Sequence, residues 1–241
     1  MSFEYEYSEK ISALCKHAEK ANKESLKVLA TKIAENIEND KLIHTFGTGH
    51  SHMLGIELFV RAGGLGNINA MLDPDTLTSF GARRSGEVER TCGLADIIYD
   101  SYFIEPGDMM IITSNSGRNA MPIEMAARAQ KEGVYTVAVT NLTQSKASTS
   151  RHPSGKKLYD HADLIIDNCV PEGDAMMDIG GIKTGPASSI VTMFLLNIAI
   201  TEAMKIVVAK GKRPYVFQSQ NVDGADNEAV YRHFLGRVKH L

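Results

Sequence analysis

The feature that most constrains this chain is an alternation. Five short apolar runs, residues 42–46, 67–72, 109–113, 135–140 and 164–167, are separated by stretches with helical character at 51–62, 87–102, 120–132 and, more briefly, 154–161. Apolar strands alternating with helices build βαβ units, in which helices cover both faces of a parallel sheet and leave its strands apolar on both sides. The crossovers are right-handed, because a right-twisted strand feeding a right-handed helix packs back onto the sheet only that way. The expected fold class is α/β, with a five-stranded parallel sheet flanked by helices.

Further helices extend this core. Ile11, Leu14, Cys15, Ala18, Leu26, Leu29, Ile33 and Ile37 recur at helical steps and predict one long amphipathic helix over 11–37. After the fifth run come an apolar helix near 187–209 and a polar-faced helix near 226–239. No low-complexity linker or repeat divides the chain, so the expected organisation is one domain over 1–241. It comprises an N-terminal helix at 1–39, a core at 40–205 and a C-terminal helical extension at 206–241. The first helix and the 187–209 helix offer more apolar face than a five-stranded sheet needs, which predicts a homodimer or higher homo-oligomer.

Composition narrows the function classes. Hydrophobic residues are 43% and charged residues 23% of the 241, ordinary for a chain with a buried core. The net charge, 26 − 29 = −3, comes without a basic run, against a nucleic-acid partner held by phosphate contacts. The uncharged stretch 185–201 is interrupted by Pro186, Ser188, Ser189, Thr192 and Asn197. It falls short of the ~20 apolar residues that span a bilayer and reads as a core helix. The opening MSFEYEYSEK is acidic and polar where a signal peptide is basic and then apolar. The expectations are a cytoplasmic protein with no membrane partner. Cys15, Cys92 and Cys169 lie far apart without a C-x-x-C pair, so neither a disulfide framework nor a zinc site is expected, and no redox cofactor.

In open parallel sheets ligands bind beyond the carboxyl ends of the strands. Two post-strand loops are unusual. Phe46-Gly47-Thr48-Gly49-His50-Ser51-His52 leaves the first strand and enters a helix, where glycines allow close backbone approach and a helix start offers free N–H groups. The dinucleotide fingerprint G-x-G-x-x-G fails at His52. Thr113-Ser114-Asn115-Ser116-Gly117-Arg118-Asn119 gathers hydroxyl and amide side chains around a glycine beside one arginine. One helix cap needs one such residue; this many suit an anion such as a phosphate group.

These loops resemble those of the SIS (sugar isomerase) domain family. Ser114-Asn115-Ser116-Gly117-Arg118-Asn119 is similar to its S-x-S-G-x-[ST] loop, and Gly47-Thr48-Gly49-His50-Ser51 to its G-x-G-x-S loop. Ile104-Glu105-Pro106-Gly107-Asp108 resembles the P-x-D segment between them, and Lys183-Thr184-Gly185-Pro186-Ala187-Ser188-Ser189 the P-T-S-S segment opening the family's last helix. The resemblance covers roughly residues 40–205 and implies a flavodoxin-like fold that binds phosphosugars, commonly with sites near a subunit interface. Its members include aldose–ketose isomerases and regulators that sense sugar phosphates. It assigns ligand contacts to Gly49, Ser51, Ser114, Asn115, Ser116, Arg118, Asn119 and Ser188. Two positions depart from the family pattern: Asn119 stands where Thr or Ser is usual, and Met53 stands four residues before Glu57 where phosphoheptose isomerases carry a His–Glu pair. That pair and its metal site therefore do not transfer.

Aldose–ketose isomerisation needs a base to move a proton between neighbouring carbons and groups that steady the enediolate. Glu172, after the fifth run, resembles the glutamate before the last helix of several SIS enzymes and is the first candidate base, with Asp174 as substitute. Glu57 and His50 are further candidates, although Glu57 also suits an i,i+4 ion pair with Arg61. His52, His152 and Lys183 read as structural or solvated. The expected function is a phosphosugar isomerase or related enzyme without a cofactor. The alternative is a non-catalytic sugar-phosphate sensor.

Overall fold

The computed structural model describes residues 5–241. All five apolar runs form strands: β1 (Ile43–Gly47), β2 (Ile68–Ala70), β3 (Met109–Thr113), β4 (Tyr135–Thr140) and β5 (Leu164–Asp167). They make one parallel sheet in the order β2-β1-β3-β4-β5. From β1 the chain steps outward to β2, then crosses back to place β3 on the other side of β1. The topological switch point lies between β1 and β3, where Gly47 is the register partner of Thr113.

Each face of the sheet has its own core. Met109 and Ile111 of β3 pack on one side, and Met110 and Ile112 on the other, as the two-residue period of a strand requires. The second side is covered by α5 (Leu94–Asp100) and α6 (Ala120–Lys131), through Ala95, Ile98, Met121 and Met125. The first side carries α1 (Glu6–Ala21), α2 (Lys23–Glu38), α3 (Met53–Leu58) and α8 (Ser188–Ala209). Helix α8 is long and apolar enough to cross a membrane by length and composition. Here Val191, Leu195, Leu196, Ala199, Ala203 and Val207 are buried, and the helix packs on α1 and α2.

Several helices differ from their expected bounds. The single helix expected over 11–37 is two, parted at Asn22, whose side-chain amide donates to Ala18 O (2.7 Å) and to Asp167 O (2.6 Å) and accepts from Asp167 N (2.9 Å). The helix expected over 51–62 ends at Leu58. Gly63 and Gly66 donate instead to Phe217 O (2.8 Å) and Tyr215 O (2.9 Å), so the C-terminal extension draws this segment out of helical conformation. The helix expected over 87–102 is divided into α4 (Ala82–Val88) and α5 by the left-handed Gly93, whose N–H donates to Glu124 Oε2 (2.8 Å). Only Leu158–His161 of the expected 154–161 helix is helical, as a single 3-10 turn. A short α7 (Leu142–Ala147) follows β4, and the final helix is only α9 (Glu228–Phe234).

An unforeseen antiparallel hairpin, β6 (Met177–Ile179) and β7 (Ile182–Thr184), turns on Gly180-Gly181. Both glycines have positive φ, as a tight two-residue hairpin turn demands.

The C-terminal extension is anchored through a buried polar chain. Lys239 N donates to Asn69 Oδ1 (3.1 Å), and Asn69 Nδ2 lies 3.2 Å from His44 Nδ1. His44 Nε2 in turn lies 3.0 Å from Asp108 Oδ2. Hydrogen bonds to the Asp108 carboxylate from His44 and from the N–H groups of Glu105 and Leu42 hold its pKa low against the opposing effect of burial, which taken alone is the largest influence.

Candidate functional site

The glycine and serine loops meet at the switch point. Gly47 is needed there for space: a Cβ would lie 2.5 Å from the carbonyl oxygen of Ser51, which folds back over it. Thr48 is extended, Gly49 has positive φ, and Gly49–His52 make a 3-10 turn leading into α3. Between the loops and the first turns of α8 runs a narrow cleft lined by Ser51, Thr113, Asn115, Asn168, Ser188, Ser189 and Thr192, with Leu54 as its apolar wall.

The serine loop is held by its own hydrogen bonds. Ser114 Oγ accepts from Gly117 N (3.2 Å), which makes Ser114 the residue that shapes the turn. Asn115 O accepts from Asn141 N (2.9 Å) and Thr140 Oγ1 (3.1 Å), and Asn115 Oδ1 accepts from Asn168 Nδ2 (2.9 Å). Gly117 has φ of 58°, and a Cβ there would meet Ser145 Oγ at 2.9 Å and Thr140 Oγ1 at 3.0 Å. Ser116 gives neither its N–H nor its hydroxyl to any hydrogen bond among the described residues, and the hydroxyls of Ser51 and Ser189 are likewise unengaged. Ser51 and Ser189 line the cleft and Ser116 follows the cleft residue Asn115; neutral donors with no internal partner are what an anion needs.

Other singled-out residues lie elsewhere or are engaged. Arg118 donates through its guanidinium to Thr149 Oγ1 (3.0 Å), and its buried Nε has no partner among the described residues. Asn119 Nδ2 donates to Glu89, and Asn119 Oδ1 accepts from Arg151 (3.3 Å). Ser188 Oγ donates to Asp174 Oδ2 (2.7 Å), while Asp174 Oδ1 accepts from the backbone N–H of Ala187 (3.0 Å) and Ser188 (2.7 Å). Asp174 thereby caps α8.

The candidate bases are not gathered in the cleft. Glu172 is exposed and borders a separate depression with His17, Gln144 and Cys169. Glu57 is half-buried, lies 3.4 Å from Arg61 Nε, and faces another depression beside Asn197 and Thr201. His50 is exposed on the turn between Gly49 and Ser51. His52 is buried with Nδ1 3.0 Å from Thr76 Oγ1, and burial depresses its pKa. Lys183 pairs with Asp178 across the hairpin (2.9 Å).

Sequence reasoning missed Asn168 and Thr192, which reach the cleft from the ends of β5 and α8 and match no local pattern. It also missed the gathering of Cys92, Glu124 and His152, contributed by three separate segments, whose ligating atoms lie within 4.8 Å of one another.

A parallel sheet of this order, with two donor-rich loops meeting at its switch point, defines a flavodoxin-like α/β protein. The SIS domain family model matches residues 6–141, more than half of the chain, and the chain belongs to that family. A UPF0309 protein of Caldanaerobacter subterraneus subsp. tengcongensis is 37% identical over 98% of this chain and 98% of its own length. Among solved structures, the phosphoheptose isomerase of Neisseria gonorrhoeae superposes with a TM-score of 0.53 at 16% identity, over 80% of this chain and 92% of that one. The Vibrio vulnificus NanR protein, complexed with ManNAc-6P, gives a TM-score of 0.53 at 17% identity, over 85% and 63%. At these identities the two structures share the fold with this chain.

Proposed function

We propose that this protein binds a sugar phosphate at the β1–β3 switch point, with the phosphate on the serine loop and the sugar directed over Ser51 and the start of α8. The observation that carries the reading is the pair of unengaged hydroxyls, Ser51 and Ser189, in one cleft between the two loops and the start of α8, with the equally unengaged Ser116 next to the cleft residue Asn115 on the serine loop. The family's phosphosugar binding and the sugar phosphate held by a neighbour of the same fold support it. Gly49 through its backbone and Asn115 through its unengaged Nδ2 line the phosphate's approach. Ser114 acts by holding the loop. Arg118, Asn119 and Ser188 contribute as supports of the loop and of α8.

Isomerase chemistry is the catalytic form of this proposal, with His50 at the glycine turn or Glu172 as the proton-carrying group. A general base works within hydrogen-bond reach of the proton it takes, about 3 Å. Glu172 borders a neighbouring depression within its own chain, so this form calls for a shift of the 171–174 turn or for Glu172 of a second copy. We propose a cytoplasmic homodimer accordingly; the exposed Ile190 of α8 and Ile179 and Ile182 of the hairpin supply apolar surface for it. One observation favours the sensing reading instead: among the described residues none that lines the cleft carries a carboxylate, and the nearby Asp174 is committed to capping α8.

Two measurements test the proposal. Calorimetric titration with hexose, hexosamine, pentose and heptose phosphates reads binding, and absence of binding by all four classes overturns it. Incubating the best binder in D₂O then reads chemistry by NMR. Deuterium at carbon one or two supports the isomerase, and tight binding without exchange leaves the sensor.

A further inference from the structure

The three-residue cluster outside the cleft has the composition of a metal site. Cys92 lies in the connection between α4 and α5, Glu124 in α6, and His152 in the loop after α7. Their Sγ, carboxylate and ring-nitrogen atoms lie within 4.8 Å of one another, and His152 Nε2 is 3.3 Å from Glu124 Oε1. Four-coordinate zinc has ligand bonds of about 2.0–2.3 Å, which separates neighbouring ligand atoms by roughly 3.3–3.8 Å. One edge of the cluster already has that spacing, and the other two are no longer than 4.8 Å.

The surroundings orient two of the three groups. His152 Nδ1 lies 2.7 Å from Ser154 Oγ and accepts from Ser154 N (3.3 Å), which turns the ring so that Nε2 faces the cluster. Glu124 Oε2 accepts from Gly93 N (2.8 Å), which leaves Oε1 toward His152 and brings the Cys92–Gly93 backbone alongside. Outer hydrogen bonds of this kind fix the direction of metal-binding side chains; on binding, Nδ1 carries the ring proton toward Ser154 Oγ. Cys92 is exposed, so one side of the cluster is open to water.

We propose that Cys92, Glu124 and His152 form a binding site for a zinc-class divalent cation, with three protein ligands and a fourth position open to water. Thiolate, imidazole and carboxylate together suit a borderline-soft ion over magnesium or calcium, which take oxygen ligands. Binding converts the Cys92 thiol to a thiolate, and its proton is released to solvent. The ion would clip the α4–α5 connection to the loop that carries Arg151, whose N–H donates to Arg118 O of the serine loop (2.8 Å).

The test uses the full chain stripped of metal with a chelator. Zinc is titrated against a chromophoric chelator, and cobalt(II) is added separately to read thiolate-to-metal charge transfer in the near ultraviolet. The expected result is one zinc per chain, a charge-transfer band, and a higher melting temperature with zinc. Cys92→Ser should abolish the band. His152→Ala and Ser154→Ala should weaken zinc at least tenfold, the range for ligand and supporting groups. Cys15→Ser should change nothing. No binding by the unaltered chain at micromolar zinc overturns the proposal, and so does a cobalt complex without a thiolate band. Because these two readings use the unaltered chain, they stand even if a variant fails to fold. Equal zinc affinity in folded Cys92→Ser overturns it as well.

Discussion

Asp174 receives the hydroxyl of Ser188 at 2.7 Å and the backbone N–H groups of Ala187 and Ser188 at 3.0 and 2.7 Å, closing the amino end of the long helix α8. Four N–H groups at a helix start have no internal acceptor, and a carboxylate there also meets the positive end of the helix dipole. Asp174→Ala should therefore lower stability by about 1–2 kcal/mol, the upper range for loss of a cap. The midpoint of urea unfolding measures it, and Asp174→Asn should recover part of the loss.

The two serines of the loop should behave differently. Ser116→Ala touches no internal hydrogen bond and should leave stability within about 0.5 kcal/mol of the parent. Its affinity for sugar phosphate should fall roughly tenfold or more, as for a bond to a charged partner worth about 1.5–3 kcal/mol. Ser114→Ala instead leaves the buried N–H of Gly117 without its acceptor and should cost about 1–3 kcal/mol of stability. Thermal unfolding without ligand and calorimetry with it separate the two effects. Equal stability losses would place Ser116 among the loop's supports.

Gly47→Ala should be disruptive although it adds only one carbon. The new Cβ would sit 2.5 Å from Ser51 O, a backbone atom that cannot rotate away, so the turn must open. The expected loss is about 3 kcal/mol, the upper part of the usual overpacking cost, together with loss of ligand binding. Wild-type stability in this variant would show the turn to be slack.

His52 gives a pH dependence with a definite sign. Burial lowers its pKa in the folded protein, so below about 6.5 the unfolded chain binds the extra proton first. Stability that includes this contribution is complete above about 6.5 and is lost as the pH falls toward the folded value. The pKa values of His161 and His240 are also lowered, so the measurement is a difference. His52→Gln should flatten the fall in melting temperature on acidification relative to the parent.

The sheet was legible because β1, β2 and β3 are buried throughout and β4 in all but its first residue, which writes them as short apolar runs; the half-buried edge strand β5 is the weakest of the five. Helix ends were less legible because distant partners set them. Asn22 breaks the first helix through a bond to Asp167, and residues 63–66 leave helical conformation to join residues 215–217. Ser51 and Asn115 of the cleft, and Ser114 and Ser116 on the loop beside it, could be read because loops after strands converge at a switch point. The position of Glu172 could not, since it depends on the path between β5 and the β6–β7 hairpin. The Cys92–Glu124–His152 cluster carries no spacing signal, because three separate segments contribute one residue each.

The break at Asn22 has a consequence for the edge of the sheet. Strand β5 ends one side of the sheet, and the N–H and C=O of Asp167 point away from β4. The Asn22 amide satisfies both, offering its oxygen to the N–H and its nitrogen to the carbonyl, as the peptide group of a sixth strand would. A single side chain thus takes the place where another molecule's strand could begin to pair, and exposed strand edges are where such pairing starts. The polar residue that parts α1 from α2 is thus also the one that closes the edge of the sheet at Asp167.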